Sequence, residues 1–449
     1  LNKHNAFSFL AAIRRFAGFL VQYEIWPVTL LIAASFVWLS LLPAAVITAA
    51  VFLFLRWIAT GRITKRTPAD GGVILLLVMV PVTLWATALP AITIPQVYRL
   101  LTGMVFYYAI VNWCSSPKRL RFLLLGTTLA GSFLAIFAAV SVQWPIGKLA
   151  FISGQLYQQF SVLVSDTVHP NVMAGSLILL LPVPLAGLFF AWGKMGWPER
   201  IIHSEAVLVI LGMLALTQSR GAWMALGAVI LSLIILRWRR GWLIFVPVIV
   251  LALIAINQLG IPRIIEIAFS GGAISGWDGR REIWSRAIYM IQDFPFTGIG
   301  MGSFGKVADA LYPFFSYSPG AIPHAHNLFL QIAVDLGIPG LIAWLSILLV
   351  VIALAWKLFR QGRIRQNVQC AALGAGLLCS QIALVVHGMT DAVTWGMVRP
   401  APLVWAVWGL AVAGWYVYIH PENNPLPNDA PNKAGPELPT NEPYSGFDL

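Results

Sequence analysis

Runs of roughly twenty apolar residues recur from one end of this chain to the other, and each is long enough to cross about 30 Å of hydrocarbon as a helix. No other feature restricts the fold so strongly. Of 449 residues, 59% are hydrophobic and 10% charged, too little polar surface to clothe a soluble protein of this length. Period-two alternation, the mark of a membrane barrel, is absent. The expected fold is all-α: a polytopic helical membrane protein with about twelve transmembrane helices. Spans are expected near 26–42, 43–58, 72–89, 96–114, 119–141, 170–192, 205–218, 220–236, 241–257, 327–356, 367–388 and 399–418. In the long 327–356 segment, Gly337-Ile-Pro-Gly340 is expected to break or kink the helix. The chain begins at Leu1 and shows no cleavable signal peptide, so the first span is expected to direct insertion.

The net charge of +12 would suit a nucleic-acid partner, but its distribution excludes that reading. Basic residues gather in alternate loops: Lys3, Arg14 and Arg15; Arg56, Arg62, Lys65 and Arg66; Lys118, Arg119 and Arg121; Lys194 and Arg200; Arg237, Arg239 and Arg240; Lys357, Arg360, Arg363 and Arg365. The positive-inside rule assigns those loops, and both termini, to the cytoplasm. The expected organisation is a cytoplasmic N-terminus at 1–25, transmembrane helices one to nine over 26–257, a large periplasmic loop over 258–326, helices ten to twelve over 327–418, and a cytoplasmic tail at 419–449. That tail is rich in Pro and Asn and is expected to be disordered. Another outer loop is expected at 142–169. Cys114, Cys370 and Cys379 all fall in apolar spans, which rules out a disulfide framework and leaves no cysteine-based metal site.

Apart from Lys433 in the tail, the remaining basic residues fall on or near the outer side, where the bias makes them less expected and invites a reason. Arg220 in "TQSRGAW" sits between two nearly contiguous spans. It reads either as a snorkelling interface arginine or as a bidentate anion clamp. Arg280 and Arg281 open a stretch in which Ile283, Trp284, Ala287, Ile288 and Ile291 recur at helical spacing, so 280–293 is expected to be an amphipathic helix capped by Asp278. Cations at a helix N-terminus oppose the macrodipole. They are either a solvated first turn or part of an anion site, and converging arginines at this boundary would suit a lipid-linked pyrophosphate. His324 and His326 form His-x-His directly before Asn327 and an apolar helix. They read as a metal pair, a helix-capping cluster or a general base. No third and fourth metal ligands stand at convincing spacing, so no metal is expected. "TGIGMGSF", with Gly298, Gly300 and Gly302, neither follows a strand nor opens a βαβ unit. It is expected to be a tight loop that lets backbone approach the site.

Taken in order, "HPNVMAG", "TQSRGAW", "GRREIW…DFPFTGIGMGSF" and "HNLFLQIAVDLGIPG" resemble the motifs of the O-antigen ligase and polymerase superfamily. The last fits a His-Asn, nine residues, Gly-x-x-Gly pattern. The resemblance implies a GT-C-like, multi-pass enzyme of the inner (cytoplasmic) membrane with its active site on the periplasmic side. The implied donor is an undecaprenyl-pyrophosphate-linked glycan, and the implied acceptor a hydroxyl of lipid A-core or another glycan. Transfer would invert the anomeric carbon and need neither metal nor cofactor. His326 matches the histidine that activates the acceptor. Arg220 and Arg280 match the arginines that hold the donor pyrophosphate, and Arg281 is a neighbour that could take the place of Arg280. Asn327, Gly337 and Gly340 belong to the last of these motifs as supporting residues, and His324 supports them as a loop neighbour.

The same motifs occur in O-antigen and exopolysaccharide polymerases, in protein O-glycosylation ligases and in a branch labelled bicarbonate transporters. "MIQDFPFTGIG" and "AHNLFLQIAVDLGIPGLIAW" look particularly like that last branch. A small-anion transporter would carry polar or broken helices at mid-membrane depth. Mid-span candidates here are few, chiefly Asn112, Gln381 and His387, whereas polar residues gather at the outer boundary. That distribution favours an enzyme.

Overall fold

The structure, a computed structural model, describes residues 3–144, 155, 168–238, 240–269, 277–392, 394–396 and 400–421. Most of the expected 142–169 loop, Lys148, Arg399 and the expected tail from 422 onward lie outside the described residues. The elements are α1 (Lys3–Val21), α2 (Ile25–Ser35), α3 (Leu42–Thr60), α4 (Asp70–Ala86), α5 (Pro90–Trp113), α6 (Pro117–Ser141), α7 (Pro170–Leu180), α8 (Pro182–Ala191), α9 (Trp197–Thr217), α10 (Arg220–Arg237), α11 (Phe245–Phe269), α12 (Trp277–Asp293), α13 (Phe304–Leu311), α14 (Leu328–Ile364), α15 (Val368–Gly388) and α16 (Pro402–Tyr418). No strand occurs among the described residues. Among the described residues, seven helical segments are long and apolar enough to span a membrane, and nine if each of two bent pairs is one span. The protein is a polytopic helical membrane protein.

Two boundaries differ from expectation. The first 25 residues are not a simple extension before a span, because α1 is a helix packed against α3. Its second half and α2 together form a bent pair apolar enough to span. The predicted 26–42 segment instead ends at Ser35 and turns into a short 3₁₀ stretch. Likewise, the part of the expected 258–326 loop up to Phe269 continues α11 past a break at Gly260.

Helix α15 is the centre of the bundle. It packs against α14, α8, α10, α7 and α16. Small residues let backbones close on it: a Cβ on Gly374 would lie 2.2 Å from the Phe359 nitrogen. In lipid, where apolar burial between helices gains little, such close packing holds helices together. One core joins α2–α5 with α14–α16. A second joins α6–α10 with α15. A third, smaller core binds α12, α13 and the His-x-His segment to α14 through Val334.

The predicted break in α14 is present: Gly337 has φ +70° and Pro339 follows inside the helix. The opened turn receives the glycine loop. Ile338 N–H donates to the Pro295 carbonyl (2.7 Å), and Ile299 N–H to the Val334 carbonyl (2.9 Å). Gly298 adopts φ +65°, with Asp335 backbone 2.5 Å from where a Cβ would sit. The loop therefore does bring backbone close, but to the α14 break rather than to the histidines. Asp335 locks the joint. Its carboxylate accepts from Gly302 N–H (3.1 Å), Gln331 Nε2 (2.9 Å) and Trp395 Nε1 (2.8 Å). Gln331 Oε1 in turn accepts from Ala325 N–H (2.8 Å), the residue between the two histidines. A carboxylate in the bundle interior is thus fully hydrogen-bonded, as burial requires.

Gly337→Ala is expected to destabilise the protein. A Cβ there would sit 2.8 Å from Phe296 and Pro295 backbone in a left-handed conformation, a strain of about 1–3 kcal/mol. Gly71→Ala, in open helical space, is the control. Thermal unfolding in detergent should show Gly337→Ala well below it, and equal melting would contradict the packed break.

Candidate functional site

The site forms where α15 ends and α14 begins. Asn327 opens α14 as its cap, with Oδ1 accepting from Phe329 N–H (3.0 Å) and Leu330 N–H (3.1 Å). Side-chain caps meet the orphan amides of a helix start. The Asn327 amide also donates to the Met389 carbonyl (3.4 Å), tying α14 to the segment after α15. His326, just before the cap, has φ +48°, an uncommon conformation for a residue with a side chain. The surrounding bonds hold it there. Arg280 Nη1 donates to the His326 carbonyl (3.1 Å) and to that of Thr390.

Asp391 was not singled out from the sequence, yet it is the hub of this cluster. It is fully buried and faces both histidines: Oδ1 lies 3.4 Å from His326 Nδ1 and 3.6 Å from His324 Nδ1. Its Oδ2 accepts from the Asn171 amide (2.8 Å), which brings in the "HPN" segment, whose His169 caps α7. A signal for Asp391 did exist in the sequence, since it is the only acidic residue between 336 and 421. A lone charge among apolar spans is costly unless it is employed.

Hydrogen-bond roles follow from who occupies each nitrogen. His324 Nδ1 accepts the His326 N–H (3.2 Å), so it carries a lone pair and cannot donate to Asp391. His326 Nδ1 is free of that constraint and donates to Asp391. This fixes the tautomer with the lone pair on His326 Nε2, a buried atom with no hydrogen-bond partner. A carboxylate behind an imidazole orients the ring and stabilises the charge it gains when protonated.

The electrostatics agree. Burial would raise the Asp391 pKa, but the hydrogen bond and charge of His326, then the electrostatic influence of His324 and His387, hold it well below the ordinary 3.8. Burial, reinforced by His326, pushes His324 down to about 4, so it is neutral at pH 7. An unfolded chain would bind a proton at His324 near pH 6.5 and the folded one only near 4, so stability falls as pH drops through that interval. Burial lowers the Arg280 pKa, with Asp391 opposing.

The arginine candidates separate cleanly. Arg280 is 9% exposed and turned inward. The Arg281 side chain is 69% exposed beside Asp278. Asp278 stands in the first turn of α12, which begins at Trp277, and so is not the cap expected. The buried face of α12 is Ile283, Ala287 and Met290, while Ile288 is exposed. Arg220 starts α10 and makes no ion pair among the described residues. The next residue, Gly221, lies against Thr390 and His387: a Cβ there would meet Thr390 Oγ1 at 2.1 Å. Arg220, Arg280, His324, His326 and Asn327 are therefore gathered around the 387–391 segment. Gly337 and Gly340 stand farther along α14, shaping its break.

His324, His326 and Asp391 present ligand-type atoms within 4.8 Å of one another, so the fold supplies the third ligand that spacing did not reveal. In this geometry His324 Nδ1 is already occupied by a backbone N–H and His326 Nδ1 faces the carboxylate, which fits a hydrogen-bonded set better than a metal set.

No curated protein matches the chain. Residues 206–345 match the family model described as O-antigen ligase, a segment that contains Arg220, Arg280, His326 and the α14 break but neither Asn171 nor Asp391. Over that segment this multi-pass membrane chain is similar to the O-antigen ligase superfamily.

Proposed function

We propose that the protein transfers a glycan from an undecaprenyl-pyrophosphate carrier to an acceptor hydroxyl at the outer face of the inner membrane. The observation that carries this reading is His326 Nε2, a lone pair held in place by Asp391 at the far side of the ring and left without a protein partner. The acceptor oxygen attacks the anomeric carbon, and His326 Nε2 takes its proton. The bond from that carbon to the phosphate oxygen breaks, and the electron pair leaves with undecaprenyl pyrophosphate. Arg280 and Arg220 stabilise the charge that grows there. Attack opposite the leaving group inverts the carbon. No step requires a metal, so chelators should leave activity unchanged. Membrane lipids surround the spanning helices, and the lipid tail of the donor stays among them.

A break in a spanning helix is also a transporter feature. In α14 the broken turn is filled by the chain's own loop, and every Asp335 oxygen is taken by a protein donor, which favours the enzyme.

The test is incubation of purified protein with a lipid-linked glycan and either a core-oligosaccharide acceptor or the donor alone. Extension of the core supports a ligase, and lengthening of the donor glycan a polymerase. Absence of both products counts against transfer.

Sidedness rests on the charge alternation. Cysteines introduced at Lys306 or Ser318 should react with an impermeant thiol reagent in intact spheroplasts. Labelling only after permeabilisation would invert the topology.

Asp391→Asn should lower turnover by about 10² or more, since an amide no longer imposes the tautomer that leaves Nε2 free. Steady-state kinetics at saturating donor check this, and wild-type turnover would remove Asp391 from the mechanism.

A further inference from the structure

His387 is a buried imidazole that the scheme above leaves without a task. It occupies the last turn of α15 and is 2% exposed. Neither ring nitrogen has a hydrogen-bond partner. An imidazole always carries at least one N–H, and native interiors rarely leave such groups unmet. Its own backbone is fully used: the His387 carbonyl accepts from Thr390 N–H (2.9 Å), Asp391 N–H (3.0 Å) and Thr390 Oγ1 (2.8 Å). The ring edge faces Gly221, with Cδ2 3.5 Å from where a Cβ would stand. His387 therefore sits against the start of the Arg220 helix, one turn before the Thr390 carbonyl that Arg280 holds. The only residue that fits beside it at 221 is one without a side chain, since a Cβ would strike Thr390.

We infer that His387 is a further donor-binding residue whose ring N–H bonds a phosphoanhydride oxygen of the lipid-linked pyrophosphate, alongside Arg220 and Arg280. The inference rests on the donor-site reading of this region. The chemistry of the position selects the ligand. An anion here would meet the Arg280 guanidinium, which holds the Thr390 carbonyl, the start of the Arg220 helix, whose Gly221 abuts the ring, and an N–H donor, which together offset the nearby Asp391 charge. A sugar hydroxyl or water at the second nitrogen completes the ring's bonding.

The experiment compares His387→Leu and His387→Gln with the wild type, using thermal unfolding with and without inorganic pyrophosphate, and donor KM. Leucine has nearly the same volume and no unmet polar atom. A group whose partner belongs to the substrate should be replaceable without loss of stability. The Leu variant should melt at or above the wild-type temperature while its donor KM rises about tenfold or more, the scale of one lost hydrogen bond to a charged group. The stabilisation by pyrophosphate should shrink in the same variant, and Gln, which keeps an N–H donor, should recover part of both. An unchanged KM and pyrophosphate shift in the Leu variant would overturn the assignment, as would a lower melting temperature, which would mark a structural role. If the wild type transfers no glycan but still shows a His387-dependent pyrophosphate shift, the transferase reading fails and the anion contact stands.

Discussion

His326→Ala should lower the chemical step by about 10² or more, the usual scale for removing a positioned acid–base group and equivalent to about 2.7 kcal/mol of barrier. Donor binding should survive, because Arg220 and Arg280 are untouched. His324→Ala should be much milder. His324 uses its Nδ1 to accept the His326 N–H (3.2 Å), so it shapes the loop and cannot donate to Asp391. The two variants then differ in kind. Single-turnover rates with saturating donor read the chemistry, and equilibrium binding of the labelled donor reads the ground state. Loss of binding in His326→Ala would make that residue a ligand contact. Equal losses in both variants, with inhibition by chelators, would convert the His324, His326 and Asp391 cluster into a metal site.

Replacement of either donor arginine should abolish transfer, but by distinguishable routes. Arg220 makes no ion pair among the described residues, so Arg220→Ala should fold and melt normally while losing about 10²–10³ in rate, as for a deleted electrostatic contact to a developing charge. Arg280 also bonds the His326 and Thr390 carbonyls. Arg280→Ala should therefore lower the melting temperature too, because two buried carbonyls lose a charged donor. Lysine should restore only part of the activity at either position, since a point charge lacks the bidentate fork. Full activity in both alanine variants would remove the pyrophosphate clamp.

Apolar run length was enough to place most helices, since lipid leaves a spanning segment no other way to satisfy its backbone. The α14 break was legible because Gly337 and Pro339 stand together, and the glycine loop because only glycine accepts φ of +65° to +100° cheaply. Helix α1 was missed because Arg14 and Arg15 interrupt its apolar run. At the site, His326 and Asn327 announced themselves by standing at the head of a span. Asn171 did not, and Asp391 only by being a lone acid among apolar spans, because their roles exist only after α7, α14 and α15 are packed. Arg280 and Arg281 are adjacent and chemically identical, and only the inward face of α12 separates them. Asp335 gave no sign of its bonding to two distant segments, at Gly302 and Trp395.

The most direct measurement places purified protein in liposomes with a lipid-linked glycan and an acceptor oligosaccharide, and follows glycan transfer and anion flux in the same vesicles, with and without a chelator. The account predicts an extended acceptor or a lengthened donor glycan, release of undecaprenyl pyrophosphate, no effect of chelator and no anion flux. Anion flux without any transfer product, lost when His326 is replaced, would contradict it.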